Sequence, residues 1–214
     1  IDQERMQREL VQDIADLVRY EPGVDVVDQG SRFGFSGFSI RGIGGNRVRT
    51  EIDGVATSDA FSIGSFSNAG RDFIDVESIK QLEIIRGPGS AMFGSNAIGG
   101  VVSYVTKGPE DYLDGGATYV DVNAGYNSVD SSAVAGITGA LRSGDIAALL
   151  TVNTRDGEQR DNPYADPLDA RSINVLGKLH FGDMTRGGVG VTLDYFEAVS
   201  STDDVRQALY RETQ

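Results

Sequence analysis

From Tyr119 to Tyr195 the chain repeats one pattern five times, with apolar side chains at every second position and polar or small ones between them. In ATYVDVNAGY, Val120, Val122, Ala124 and Tyr126 fall on one face, and Tyr119, Asp121 and Asn123 on the other. SAVAGITGAL aligns Ala133, Ala135, Ile137 and Leu141, and IAALLTVNT aligns Ile146, Ala148, Leu150 and Val152. In SINVLGKLHF, Ile173, Val175, Leu179 and Phe181 oppose Asn174, Lys178 and His180; in GVGVTLDYFE, Val189, Val191, Leu193 and Tyr195 oppose Thr192 and Asp194. Successive side chains of an extended chain point to opposite sides, so each segment predicts a two-faced β-strand. Segments of ~10 residues with this dyad repeat match the strands of a transmembrane β-barrel, a signal that is weak in one segment and stronger when sustained.

The connections carry a second signal. RSGD and GDMTRGG are tight turns, whereas DGEQRDNPYADPLDA is long, polar and punctuated by proline. Outer-membrane barrels pair short periplasmic turns with longer external loops. A soluble β-sandwich also has alternating strands and turn residues, so texture alone leaves sandwich and barrel both open.

Upstream the periodicity changes. In DQERMQRELVQDIADLVRYEPGV, Met6, Leu10, Ile14 and Leu17 recur at helical spacing and Val18 widens the stripe, which predicts one amphipathic helix ending at Glu21-Pro22-Gly23. FSIRGIGGNRVRTEIDGV predicts two short strands around a Gly-Gly-Asn turn, followed by the Ser-, Gly- and Phe-rich loop ATSDAFSIGSFSNAG. DFIDVESIKQLEIIRG predicts a helical turn leading into a strand, and GGVVSYVTK another strand. Residues 1–108 thus read as a small α+β domain with long loops and residues 109–214 as a β domain, the boundary falling between Lys107 and Gly116.

Composition narrows the function classes. A chain with 39% hydrophobic and 24% charged residues folds, and its formal charge of −13 argues against a nucleic-acid partner, because affinity for phosphate backbones comes from Lys and Arg. With no cysteine there is neither a disulfide framework nor a thiolate metal site. No run approaches the ~20 apolar residues of a membrane helix, and IDQERMQREL lacks the charged-then-apolar pattern of a signal peptide.

EIIRGPGSAMFGSNAIGGVVSYVTK, residues 83–107, has the glycine content of a phosphate cradle but not its spacing. Gly87 and Gly89 are followed at the third position by Met92 rather than glycine, no Lys-Ser or Lys-Thr closes the run, and Pro88 removes an amide donor. The single histidine, His180, sits on the polar face of a strand, and no Ser/His/Asp, H-E-x-x-H or calcium-loop pattern occurs. Neither catalytic residues nor a metal site are expected, and the carboxylates of DGEQRDNPYADPLDA read as a solvated loop.

Several motifs stand in one order: I-R-G, N-R-V with I-D-G-V, LEIIRGP, Phe93-Gly94, and a closing A-x-G-G-V-V. This set resembles the plug domain of TonB-dependent outer-membrane receptors, and the strands after it resemble the start of the barrel that follows the plug in that family. GFSIRGIGGNRVRTEIDGV and GGVVSYVTKGPEDYL resemble the haem and haemoglobin receptor branch most closely. The fold implied is an α+β plug domain followed by antiparallel transmembrane β-barrel strands, which favours barrel over sandwich. The barrel is incomplete: a plugged transporter uses about 22 strands, and five would leave two open edges in lipid. The working protein is therefore expected to be longer, with its TonB-contacting segment outside this chain.

The resemblance implies an energy-coupled importer of the Gram-negative outer membrane. Its partners would be the TonB energy-coupling protein, outer-membrane lipid and a host haem protein, with haem as cargo rather than as a permanently bound cofactor. It further implies that Arg41 of IRG and Arg86 of IIRGP pair with glutamates of the barrel wall, a task suited to planar, bidentate guanidinium groups. The apical loop VATSDAFSIGSFSNAGRDF departs from the haem receptors in having neither His nor Tyr. Phe61, Phe66 and Arg71 are the cargo-facing residues expected there, since aromatic faces and a guanidinium suit a flat acidic ligand. A siderophore or other metal chelate is the alternative cargo. A passive barrel or adhesin is the alternative from another class, and it would not need the Arg41 and Arg86 pair.

Overall fold

The structure is a computed structural model that describes residues 1–11, 14–28, 36–59, 61–63, 67–69, 74–128, 131–158, 168–183 and 187–202. Two compact units are present, the first ending at Lys107 and the second beginning at Gly108.

The N-terminal stretch forms two short helices, α1 (Gln3–Arg8) and α2 (Ile14–Val18), rather than one. Leu10 takes a left-handed backbone, with φ 51°, and its side chain is 78% exposed instead of joining the apolar stripe. The cause is a Schellman closure: the amide of Val11 reaches the Met6 carbonyl at 3.1 Å and that of Leu10 reaches Gln7 at 3.2 Å. Met6 is buried and Val11 packs on the same cluster, the apolar contact that accompanies this motif. Glycine normally marks such a stop, and Leu10 in its place hides it from the sequence.

Three strands, β1 (Val24–Asp28), β2 (Ser36–Ile40) and β3 (Ile43–Gly44), make an antiparallel sheet in that order. The β2–β3 turn falls at Arg41-Gly42, not at the predicted Gly-Gly-Asn, where Gly45–Arg47 forms a 3-10 turn instead. Arg41 and Gly42 have φ of 52° and 80°, the positive pair that a type I′ hairpin requires. Then come β4 (Val48–Ile52), β5 (Val55–Ala56) and the hairpin of β6 (Phe61–Ile63) with β7 (Ser67–Ala69). The expected helical turn is a 3-10 turn, Val76–Ser78, feeding β8 (Ile79–Arg86); α3 (Ser90–Phe93) and β9 (Gly100–Thr106) follow. A four-stranded sheet in the order β5-β4-β9-β8, with β4 and β9 parallel, is the centre of this unit. Ile14, Leu17, Ile40, Val48, Leu82 and Val102 pack between its elements as one core.

The second unit opens with α4 (Glu110–Leu113) and continues as five antiparallel strands: β10 (Thr118–Asn127), β11 (Ser132–Ser143), β12 (Ile146–Glu158), β13 (Leu168–Asp183) and β14 (Gly187–Thr202). They lie side by side in chain order in a single sheet. Register carries the alternation across every strand: Val122, Ile137, Val152, Val175 and Tyr195 form one row, and Leu141, Ala148, Leu179 and Val191 another. The side chains of these rows are exposed or half-buried, and on the same face Leu150 is 54% and Leu193 64% accessible, while Thr138, Thr151, Asn153, Asn174 and Leu176 on the opposite face are buried. A sandwich would turn its apolar faces inward against a second sheet. Here the apolar face points out.

Candidate functional site

Arg86 is the last residue of β8 and Glu21 lies just before Pro22, beyond the end of α2. The guanidinium Nη2 of Arg86 donates to Glu21 Oε2. The other oxygen of Glu21 accepts from Arg5 Nη1 at 2.7 Å, and Arg5 Nε donates to Glu9 at 2.8 Å. One carboxylate thus ties α1, the chain after α2 and the end of β8 together. The Arg5 hydrogen bond, opposed by partial burial, holds the Glu21 carboxyl below its ordinary value of 4.5. Only one of the five guanidinium donors of Arg86 is used in this contact, and its side chain keeps 33% of its exposure.

Arg41 lies apart from this network. Its backbone amide bonds the Gly23 carbonyl at 2.7 Å, and its side chain is exposed with no ion pair among the described residues. The glycine-rich turn between β8 and β9 spends its amides on backbone carbonyls: those of Gly87 and Gly89 bond Gly99 and Ala97 across the turn, and that of Gly99 bonds Arg47 ahead of β4. Donors spent this way cannot cradle a phosphate. A Cβ at Gly100 would overlap the Ile85 carbonyl oxygen, so this glycine serves the close approach of two strands.

Residues not singled out by their sequence fix this end of the unit. Arg49 on β4 donates Nη1 to the Phe93 carbonyl at 2.7 Å and Nε to the buried Glu51 at 3.2 Å, joining β4 to α3. Asp53, with φ 48°, accepts from the Thr106 amide at 2.9 Å and hydroxyl at 2.5 Å, clamping the end of β9. The I-D-G-V motif contained that signal, since Asp tolerates the left-handed turn and carries acceptors to the next strand. Asn96 Nδ2 reaches both oxygens of Asp59, at 3.1 and 3.2 Å, where the chain leaves for the loop. Of the expected cargo-facing residues, Phe61 begins β6 opposite Ala69, while Phe66 and Arg71 lie outside the described residues. His180 shares a face with Asn174, Leu176 and Lys178, as its spacing predicts, and pairs in register with Ala147 and Gly190.

In the second unit the exposed apolar rows run from Ile146 and Phe181 at one end to Ala135 and Ile173 at the other. Beyond them stand Tyr126 and the exposed ion pair Arg171–Asp156 at 3.6 Å. An outward apolar band bordered by aromatic and charged side chains is the surface that a β-sheet presents to a bilayer. No helix among the described residues is long and apolar enough to cross a membrane. Fold and surface together define a class: membrane-spanning barrel strands led by a compact α+β domain.

A family model, the TonB-dependent Receptor Plug Domain, matches residues 1–101. Hemoglobin-haptoglobin-binding protein A of Haemophilus influenzae is 32% identical over 97% of this chain and 22% of its own length. The hemoglobin and hemoglobin-haptoglobin-binding protein of Haemophilus ducreyi is 36% identical over 73% of this chain and 17% of its own length. Among solved structures, the FrpB iron transporter of Neisseria meningitidis superposes with a TM-score of 0.72 at 23% identity, covering 92% of this chain and 31% of that one. The pyoverdine receptor FpvA of Pseudomonas aeruginosa superposes with 0.71 at 18% identity, over 92% and 27%. The chain belongs to the TonB-dependent receptors of the Gram-negative outer membrane, in the branch of the haemoglobin-binding relatives. It spans about a fifth of the length of those relatives.

Proposed function

We propose that residues 1–108 are the plug and residues 109–214 the opening barrel strands of an energy-coupled importer whose cargo is haem, free or carried on a host haem protein. The observation that carries this reading is the similarity of nearly the whole chain, across both units, to a relative named for binding hemoglobin-haptoglobin. TonB is the energy-coupling partner, pulling on the plug from the periplasm. Haem passes through as cargo and no cofactor stays bound, and the chain carries out no covalent chemistry. Arg41, which is exposed, and the remaining donors of Arg86 meet carboxylates of the barrel wall. Phe61, Phe66 and Arg71 face the cargo.

The test uses the full-length receptor in outer membranes. Titration with haem, followed at the Soret band, should saturate, and uptake should require the energy-coupling protein. Absence of a Soret change would replace haem by another iron chelate. Equal uptake without the coupling protein would replace the importer by a passive barrel.

A further inference from the structure

We propose that Tyr112 anchors the connection between the two units to the barrel wall, so that plug movement during transport is confined to the chain before Gly108. This rests on the importer reading above. The Tyr112 hydroxyl hydrogen-bonds to Thr138 on β11 and Thr151 on β12. Those two threonines face each other in register, with their hydroxyl oxygens 3.3 Å apart, so the phenol closes a three-member polar cluster on the buried face of the sheet. Around it the ring packs against Tyr119, with centroids 5.2 Å apart, and Leu113, 4% exposed, joins Ala140, Leu149 and Leu176 in one apolar cluster.

The backbone of the segment is closed on itself. Gly108 donates its amide to Asp111 Oδ2 at 2.7 Å, Leu113 donates to Pro109 at 3.1 Å, and Gly116 donates to Leu113. Arg142 then bonds the Ala117 carbonyl at 2.7 Å, which carries the chain into β10. On the other side of the boundary, the Asp53 carboxylate holds Thr106, and Lys107 bonds Ser78 and Glu77 at 2.9 and 2.8 Å. Each side of the Lys107–Gly108 link is thus fastened within its own unit. The N-terminal end is held by the Arg5, Glu21 and Arg86 contacts and by the backbone pair of Ile1 with Leu82 at 2.8 Å.

In the full-length receptor, Tyr112→Phe removes the hydroxyl and Tyr112→Ala removes the ring as well. Hydrogen exchange at the Asp111 and Leu113 amides should quicken roughly five- to tenfold in Tyr112→Phe and further in Tyr112→Ala, while the Leu82 and Val102 amides stay unchanged. Haem affinity should be kept in both variants. Energised uptake per folded receptor should fall in Tyr112→Ala and return largely to the parental rate in Tyr112→Phe, which keeps the ring packing. A residue that only stabilised the fold would lower the amount of folded receptor and leave uptake per receptor alone, and that result would overturn the proposal. Unchanged exchange at Asp111 and Leu113 in both variants would overturn it equally. If Tyr112→Ala fails to assemble, the double variant Thr138→Val, Thr151→Val carries the same exchange comparison. A parental receptor without energy-dependent uptake would remove the importer reading, while the exchange result would still decide the anchor.

Discussion

Arg86 and Glu21, 65 positions apart in the sequence, are joined by a direct ion pair that closes the end of β8 onto the chain beyond α2. Because Arg5 occupies the other oxygen of the same carboxylate, Glu21 is the hub on which both cations depend.

Glu21→Gln should therefore loosen two contacts at once. The groups are partly solvated, with side-chain exposures of 18% for Glu21 and 26% for Arg5, so screening reduces the effect to about 1 kcal/mol at neutral pH. Denaturant titration of the full-length receptor, followed by a probe in the first unit, measures it. The same variant fixes a pH dependence. The folded-state pKa of Glu21 is depressed, so its contribution is present above the unfolded value near 4.5 and fades as pH falls through the lower folded value. Parent and variant should differ at pH 7 and converge in strong acid.

Gly100→Ala should be among the most damaging single changes in the first unit. The added methyl overlaps the Ile85 carbonyl and the backbone sits at φ 154°, so about 3 kcal/mol or more is expected. Gly139→Ala, whose added methyl meets nothing within 4 Å, should stay within about 0.5 kcal/mol. Comparing their denaturation midpoints separates a close-packing glycine from an incidental one.

Leu150→Arg tests the bilayer surface. Leu150 lies in the middle of the exposed apolar rows of β12, opposite Gly139 and Gly177. A charge at the midplane of a barrel costs about 2–4 kcal/mol, falling to about 0–1 near the interface. Folding into lipid vesicles should be weakened strongly by Leu150→Arg and little by Asp156→Arg at the rim; equal effects would contradict the placement.

Tyr112 should give an alkaline signature. Burial, only partly offset by its threonine partners, raises its pKa from 10.0 to about 12. The stability tied to the neutral phenol is complete below pH 10 and is lost as pH rises through about 12. Tyrosinate absorbance of Tyr112→Phe should lack one late-titrating group that the parent shows.

The five strands were legible because their signal is local: Val120 and Val122, or Leu179 and Phe181, share a face by the geometry of any extended chain. Tertiary packing changed only what local spacing cannot carry. The helical stripe through Leu10 was broken by a Schellman closure that its side chain does not advertise, and the hairpin turn moved from three plausible turn residues to Arg41-Gly42. Phosphate binding was argued against by spacing alone, whereas the use of the amides of Gly87, Gly89 and Gly99 on backbone carbonyls needed the folded backbone.

By itself, then, the sequence determined the faces of the barrel strands, the order of plug and barrel, and the family to which both point. Only the tertiary structure decided which groups meet: Arg86 with Glu21, Asp53 with Thr106, Tyr112 with Thr138 and Thr151. The reason is one of range. Alternation follows from neighbouring bonds, whereas an ion pair or a buried phenol is set by segments brought together from far along the chain, and any of several carboxylates or hydroxyls would have satisfied the same side chain until packing selected one.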